Sequence, residues 1–509
     1  INCLERRVQI MNSQEAALLR AELLGVTQNW QSEDKPTQAT DIFFPTAHVR
    51  ALALDRPLVI GMRGAGKSFW SEVLTSTVLR PTMTRFVKGY DKLRFVGSIR
   101  WDVDGGAFST RLPSRTHLES LQETLEPRVL WLALVLNELR ALCEERGVAV
   151  NMPNPRMVGG WTEVLRWAAR NPDALRLSLE QINLVLAQSG EVALVVFDAL
   201  DRMQEQLAQS VDYLRGLLQL LLDARQLKGL RLKVFLREDM TNMPSVLSFP
   251  DASKLINEAV HLKWTREDIY ALHWHKLAQG SRRLQSLLSD AFGPPQLQLS
   301  DGYWHEVLIQ SPPDAGKLTE LLKLLAPPYM GSSPTKGHVY TWWYKHLADG
   351  KDRVSPRTFA ASLKEALQAS QRPHSVSVLM PAGIQNGVRA ASDARVEELK
   401  EDYFWVGTAL AAFNDRSTPI SVKEIYGVWS IGLNGTPTPR LISEQCSAKN
   451  VLVPWDEGDR LTSNSQKLRD TLVELGILIL RDDDTRLDMP DIYRLGYRIR
   501  KRGGVSPRR

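Results

Sequence analysis

Residues Gly61-Met62-Arg63-Gly64-Ala65-Gly66-Lys67-Ser68 match the phosphate-binding pattern G-x-x-x-x-G-K-[ST] at every fixed position. Glycines in such a loop let the backbone close around phosphate oxygens, because no Cβ blocks the approach. Successive N–H groups and the start of the following helix then face the anion. The candidate nucleotide contacts are Gly61, Arg63, Gly64, Ala65, Gly66, Lys67, Ser68 and Phe69. Lys67 would reach the β- and γ-phosphates, and the Ser68 hydroxyl would ligate Mg²⁺. The apolar run Pro57–Ile60 predicts a buried strand before the loop, and Phe69–Leu74 predicts a helix after it.

A metal held beside a triphosphate needs a second, acidic ligand. The run Val192–Phe197 is unbroken and Val-rich, as expected of a strand buried on both faces of a parallel sheet, and it ends in Asp198. A carboxylate at the C-terminal end of such a strand lies where open α/β sheets bind ligands, so Asp198 is the candidate metal acid. Asp201, one short turn on, is the candidate to orient or deprotonate the attacking water. A further strand, Leu230–Leu236, is followed by Arg237-Glu238-Asp239. Arg237 there either senses the γ-phosphate or pairs with one of the two adjacent acids. Arg357 stands in the first turn of a helix opened by Ser355 as cap and Pro356 at N1. It is either a phosphate-sensing arginine on a lid or a solvated helix-start residue.

The other elements follow from apolar spacing and breakers. Helices are expected at Gln14–Leu24, Leu118–Gly147, Pro172–Ser189 with Asn171 as cap, Ser210–Leu227, Thr265–Ala278 with Thr265 as cap, and Val339–Leu347. Asn257–Trp264 is expected as a strand. Residues 80–115 are expected as an insertion or as a short edge strand plus loop, residues 294–330 as an irregular insertion, and the Pro/Gly/Ser-rich stretch Gln371–Val388 is the expected domain boundary. The segment just before the loop, residues 41–53, is a place where a nucleotide base could lie.

The chain's 509 residues suggest two to four domains, and 43% apolar with 24% charged residues describes an ordinary globular composition. The longest apolar run, Val129–Leu136, is too short to span a bilayer, so no membrane partner is expected. Ile1–Arg7 has no signal-peptide apolar region, and Cys3, Cys143 and Cys446 form no CxxC pair, so a cytoplasmic setting is expected. His273 and His275 have no ligand partners at metal spacing. The 14 Trp residues are scattered in apolar contexts, which marks them as core.

Beyond the boundary, helices are expected at Ala391–Phe413, Ser421–Trp429 and Ser463–Leu475. They are followed by the strand–turn–strand Ile477–Leu480, Arg481–Thr485, Arg486–Met489. Helices followed by a hairpin are the order of a winged helix-turn-helix, a module that docks on duplex DNA or on proteins. The turn Asp482–Asp484 would face phosphates poorly, whereas Lys467 and Arg469 favour DNA. So do the seven basic and no acidic residues from Arg494 to Arg509, read either as a solvated end or as a nucleic-acid arm.

Taken together, Gly61–Ser68, Phe197–Asp201 and Lys233–Arg237 resemble an ASCE-type P-loop ATPase. Within that group they are similar to the STAND branch and to the origin-recognition branch of AAA+ proteins. The resemblance implies an α/β fold: a P-loop NTPase core with a parallel sheet, a helical lid and a C-terminal winged-helix-like domain. The expected layout is an N-terminal helical segment (1–40), the ATPase core (41–260), the lid (261–370), a linker (371–390) and the winged-helix-like domain with its basic tail (391–509). The resemblance implies ATP and Mg²⁺ as cofactors, Lys67, Asp201 and Arg357 as catalytic residues, and Ser68 and Asp198 at the metal; Arg237 joins the candidate catalytic set from its place at the strand tip. It also implies a nucleotide-dependent switch or motor, in bacterial regulation or anti-phage defence, active as a homo-oligomer, with duplex DNA or a protein effector on the C-terminal domain. The alternative is a nucleotide-gated DNA-binding or scaffold protein with little hydrolysis. Two positions depart from these branches: Arg202 replaces the usual STAND glutamate, and Ala199 stands where AAA+ proteins place glutamate.

Overall fold

The computed structural model describes residues 11–28, 30, 36, 38–84, 87–101, 112–114, 117–118, 120, 124–200, 210–241, 245–295, 302–372, 374–449, 453, 464–481 and 484–501. The chain divides into two compact units, residues 35–263 and residues 1–34 with 264–509. Helices of seven or more residues are numbered below.

In the first unit, α2 (Thr46–Leu52) precedes β1 (Leu58–Gly61) and α3 (Lys67–Thr75). Then come β2 (Leu93–Arg100), α4 (Pro127–Glu145), α5 (Trp161–Arg170), α6 (Pro172–Gln188), β3 (Val192–Asp198), α7 (Ser210–Asp223), β4 (Leu230–Arg237), α8 (Ala252–Glu258) and β5 (Val260–His261). The five strands form one parallel sheet in the order β2-β3-β4-β1-β5. The strand that follows Asp198's own in sequence, β4, is thus inserted between the loop strand and the Asp198 strand. This is an α/β P-loop NTPase core. β3 is buried along almost its whole length, which is why it shows no alternation.

The helix α4 is buried on all sides from Val129 to Leu136 and lies against α5, α6, α7 and β2. Its Trp131 donates its indole N–H to the Tyr213 carbonyl (2.7 Å) and meets Trp101 and Phe197 edge-on. Glu138 of α4 accepts the Ser98 amide (3.0 Å), satisfying one donor on the edge strand β2. Of the two alternatives for residues 80–115, the edge strand is the one found, at residues 93–100, with a register irregularity between Leu93 and Phe95. Two expectations change here. The strand expected at Asn257–Trp264 shrinks to β5 because α8 takes residues 252–258. Asn171 does not cap α6, since its side chain donates back to the Trp167 carbonyl (2.8 Å).

The second unit contains α1 (Ser13–Gln28), α9 (Arg266–Gly280), α10 (Arg282–Phe292), α11 (Ala315–Leu325), α12 (Val339–Leu347), α13 (Pro356–Ala369) and α14 (Pro381–Asp402). Residues 294–330 therefore include a helix, α11, capped by Asp314. α1 packs on α9 and α13. Thr265 caps α9 and Ser355 caps α13, both as their sequences require.

The expected linker is half helix. α14 starts at Pro381, ten residues before the predicted start, and packs along α13. A Cβ on Gly387 would meet the Ser362 carbonyl at 2.2 Å, and one on Gly383 would meet the Ser370 hydroxyl at 2.1 Å. The glycines that suggested a loop instead let two helices approach closely.

After α14 come β6 (Ser417–Thr418), β7 (Ile420–Ser421), α15 (Val422–Ile431), α16 (Thr438–Ala448), α17 (Asn464–Glu474), β8 (Ile479–Leu480), β9 (Arg486–Asp488) and β10 (Arg500–Lys501). β7, followed by three helices and the β8–β9 hairpin, closes an antiparallel sheet in the order β7-β9-β8, a winged-helix-like arrangement. Asp482 and Asp483 of the wing lie outside the described residues.

The basic run does not begin as a solvated arm. Arg494 is buried, pairs with Asp491 (2.8 Å) and donates to the Ile499 carbonyl (3.0 Å). β10 pairs with β6, and Lys501 reaches Asp488 (3.2 Å). Residues 502–509 of the run lie outside the described residues.

Candidate nucleotide-binding site

β1 delivers the chain to Gly61 at the C-terminal edge of the sheet, and α3 leaves from Lys67. Between them the loop turns through left-handed backbone at Gly64 (φ 76°) and Gly66 (φ 97°), which an L side chain resists. Gly66 is the N-cap residue of α3, so the orphan amides of the helix's first turn open on the loop. Ala65 is fully buried, and its amide donates to the Met62 carbonyl (3.2 Å). The Lys67 ammonium lies inside the loop and donates to the Gly61 and Met62 carbonyls at 3.1 and 3.0 Å. Ser68 and Phe69 follow in the first turn of α3.

Ser68 is brought to Asp198 across 130 residues of sequence, with the hydroxyl 3.4 Å from Oδ1. Asp198 is 1% exposed. Burial pushes its carboxyl upward, opposed by Arg100, the Ala199 amide, Ser68 and Lys67. Its other oxygen, Oδ2, is buried and accepts no hydrogen bond among the described residues. A hydroxyl and a carboxylate at this spacing suit neighbouring positions around Mg²⁺, whose ligands sit about 2.1 Å from the ion, and the unsatisfied oxygen is an available ligand. Ser68 and Asp198 therefore fit the metal. Among the described residues, no group of three His, Cys, Asp or Glu side chains could hold a metal ion by itself, so phosphate oxygens and water would complete the shell.

Arg237 is at the end of β4, opposite Gly61 in the parallel register. Its guanidinium forms a two-pronged pair with Asp239 (3.1 and 3.0 Å). Of the two alternatives, the local ion pair is the one present, at a strand end across from the loop's Gly61. Asp201 lies outside the described residues. Arg357 belongs to the other unit, where it faces Glu398 of α14 (3.5 Å), itself bound by Arg395 (2.9 Å).

Two residues near the site escaped the sequence reading. Arg100 ends β2 in register with Asp198. It donates to Glu72 of α3 (2.9 Å), one helical turn beyond Ser68, and its Nε lies 3.9 Å from Asp198 Oδ2. His48 of α2 accepts the Trp70 indole N–H on Nδ1 (2.9 Å) and bonds the Lys263 carbonyl through Nε2 (3.1 Å). Within the segment before the loop, His48 thus holds α3 through Trp70. Nothing local in the sequence signalled either residue.

The position after Asp198 supplies no acid. Ala199 adopts a left-handed conformation (φ 57°), and Leu200 is buried.

No protein-family description matches the chain, and no curated protein matches it. Among solved structures the chain is similar to the Aeropyrum pernix ORC2 protein in its ADPNP–ADP complexes, at 13% identity and a TM-score of 0.35, over 86% of this chain and 84% of that one. The ADP form of the same protein is similar at 12% identity and a TM-score of 0.29, over 92% and 93%. The Aeropyrum pernix ORC1 protein in complex with DNA is similar at 13% identity and a TM-score of 0.29, over 87% of each chain.

Proposed function

We propose that the chain is an ATP-binding P-loop ATPase that acts as a nucleotide-dependent switch or motor. One observation carries this reading: a full phosphate-loop motif, folded between β1 and α3, whose Ser68 meets a buried strand-end carboxylate at 3.4 Å. The loop amides and Lys67 bind the phosphates, with Lys67 exchanging its two carbonyl acceptors for phosphate oxygens. Ser68 and Asp198 hold Mg²⁺, which neutralises charge on the β- and γ-phosphates when bound. Asp201 orients the attacking water, and Arg237 and Arg357 sense the γ-phosphate. The winged-helix region is the output, through duplex DNA or a protein effector.

A second reading, nucleotide-gated binding with little turnover, is favoured by Ala199, which leaves the usual position of the hydrolytic acid empty of a carboxylate.

Steady-state ATPase and nucleotide-binding assays on wild type, Lys67→Ala, Asp201→Asn, Arg237→Ala and Arg357→Ala, with and without duplex DNA, separate the two. Wild type is expected to bind ATP in a Lys67-dependent way and to hydrolyse it slowly, with Asp201→Asn losing turnover but keeping binding. Binding with no turnover under any condition leaves the second reading, and Lys67-independent binding refutes both.

A further inference from the structure

Ala199 and Leu200 bring no charge to the acid at the end of β3. A charge arrives instead from the neighbouring edge strand. Arg100 is opposite Asp198 in the β2–β3 register, with its Nε 3.9 Å from Oδ2, beyond hydrogen-bond length. The guanidinium is fixed from the other side by Glu72, whose carboxylate accepts from Nη1 at 2.9 Å. Glu72 is on the same face of α3 as Ser68, four residues on. Arg100 and Glu72 are both about one-third exposed or less at the side chain, so their pairing is partly shielded from water.

Among the described residues of this cluster, two carboxylates, Asp198 and Glu72, stand beside two cations, Arg100 and Lys67. A dication brought to Ser68 and Asp198 gains an acid on one side and meets a fixed guanidinium on the other. Coulomb repulsion in a partly buried site is several-fold stronger than in bulk water. The negative oxygens of a bound triphosphate shift that balance toward the metal.

We infer that Arg100 is a positioning residue for the divalent-cation site: a fixed cation, anchored by Glu72, that keeps Asp198 aimed at Ser68 and makes metal binding conditional on bound nucleotide phosphates. The inference rests on the nucleotide-binding reading of the loop. Removing the guanidinium leaves Asp198 and Glu72 in excess, so the site takes up a dication by itself. By reciprocity, the factor by which metal tightens nucleotide binding must then fall.

The test uses Mn²⁺ as the metal probe, followed by electron paramagnetic resonance on the full chain without nucleotide. In parallel, a fluorescent ATP analogue is titrated in EDTA and in Mg²⁺. Wild type is expected to bind Mn²⁺ weakly without nucleotide. Arg100→Gln should bind it at least ~10-fold more tightly, the sign and scale expected for removing a like charge at contact range. Its Mg²⁺-dependent gain in nucleotide affinity should shrink by a similar factor, while Arg100→Lys, which keeps the charge, stays near wild type. A residue that merely supported the fold would lower affinity with and without metal alike and leave that ratio unchanged. An unchanged ratio in a folded Arg100→Gln protein therefore overturns the inference. Should Arg100→Gln fail to fold, Glu72→Gln, which loosens the anchor, must move Mn²⁺ binding from its wild-type value, and no movement overturns the inference too. Failure of the nucleotide reading is seen separately, as analogue binding indifferent to Lys67→Ala.

Discussion

His48 makes the loop unit sensitive to acid by an amount that follows from its two partners. The Trp70 indole N–H can only donate and the Lys263 carbonyl can only accept, so the ring must be the neutral tautomer with its proton on Nε2. Protonating Nδ1 would set two N–H groups against each other inside a fully buried contact. Burial accordingly pushes the His48 pKa down to about 3, with the Lys263 carbonyl partly opposing. An unfolded histidine titrates near 6.5. Between those values the unfolded chain binds the proton and the folded chain does not, so stability rises with pH across this window and is lost as pH falls through it. Each pH unit inside the window is worth about 1.4 kcal/mol, so at pH 5 the loss is about 2 kcal/mol.

For a unit of this size that is a fall in Tm of roughly 4–8 °C. Other groups add acid lability of their own, notably the buried His273, lowered to about 4, in the second unit. The informative quantity is therefore the difference from His48→Gln, which offers an amide oxygen and an N–H to the same partners without titrating. Tm is measured from pH 7.5 to 4.5 on both proteins. Wild type should lose stability faster than His48→Gln below pH 6.5, and its affinity for a fluorescent ATP analogue should fall in step, because Trp70 belongs to the helix that starts at Lys67. Parallel Tm profiles for the two proteins would refute the reasoning.

Gly66→Ala should cost about 1–3 kcal/mol in urea unfolding and abolish most nucleotide affinity, since the residue sits at φ 97°. The added Cβ itself would have room, 4.0 Å from the Trp70 ring, so the cost is backbone strain rather than a clash. Arg494→Met should lower stability by about 3–5 kcal/mol by leaving the buried Asp491 carboxylate without its guanidinium, with the His346 ring 3.7 Å away. A change indistinguishable from a surface substitution would restore the view of residue 494 as part of a mobile arm.

The chemistry-bearing residues that lie within one short stretch were legible because their function demands a local pattern. The loop Gly61–Ser68 needs glycines at fixed spacing, a strand before it and a helix after it, and all of these are short-range. The strand ending in Asp198 was legible because burial on both faces leaves an unbroken apolar run. The caps Thr265 and Ser355 and the hairpin Ile479–Asp488 were readable for the same reason.

What depended on distant chain was not readable. Whether 381–390 is a linker or a helix turned on the closeness of α13, since the same glycines serve loops and tight helix contacts. Whether Arg494 is an arm or a core residue turned on Asp491 and the Ile499 carbonyl meeting it in the fold. Arg100 and His48 carry no motif at all. One matters because β2 pairs with β3 in a register that sets it beside Asp198, the other because α2 lies where the Trp70 indole needs an acceptor. The sequence by itself determined that a phosphate loop exists and which acid should serve it, because local backbone geometry and burial leave signatures in residue type. Only the tertiary structure decided which cation stands beside that acid and what holds the loop's helix in place, because strand order and register are properties of contacts between residues far apart in the chain.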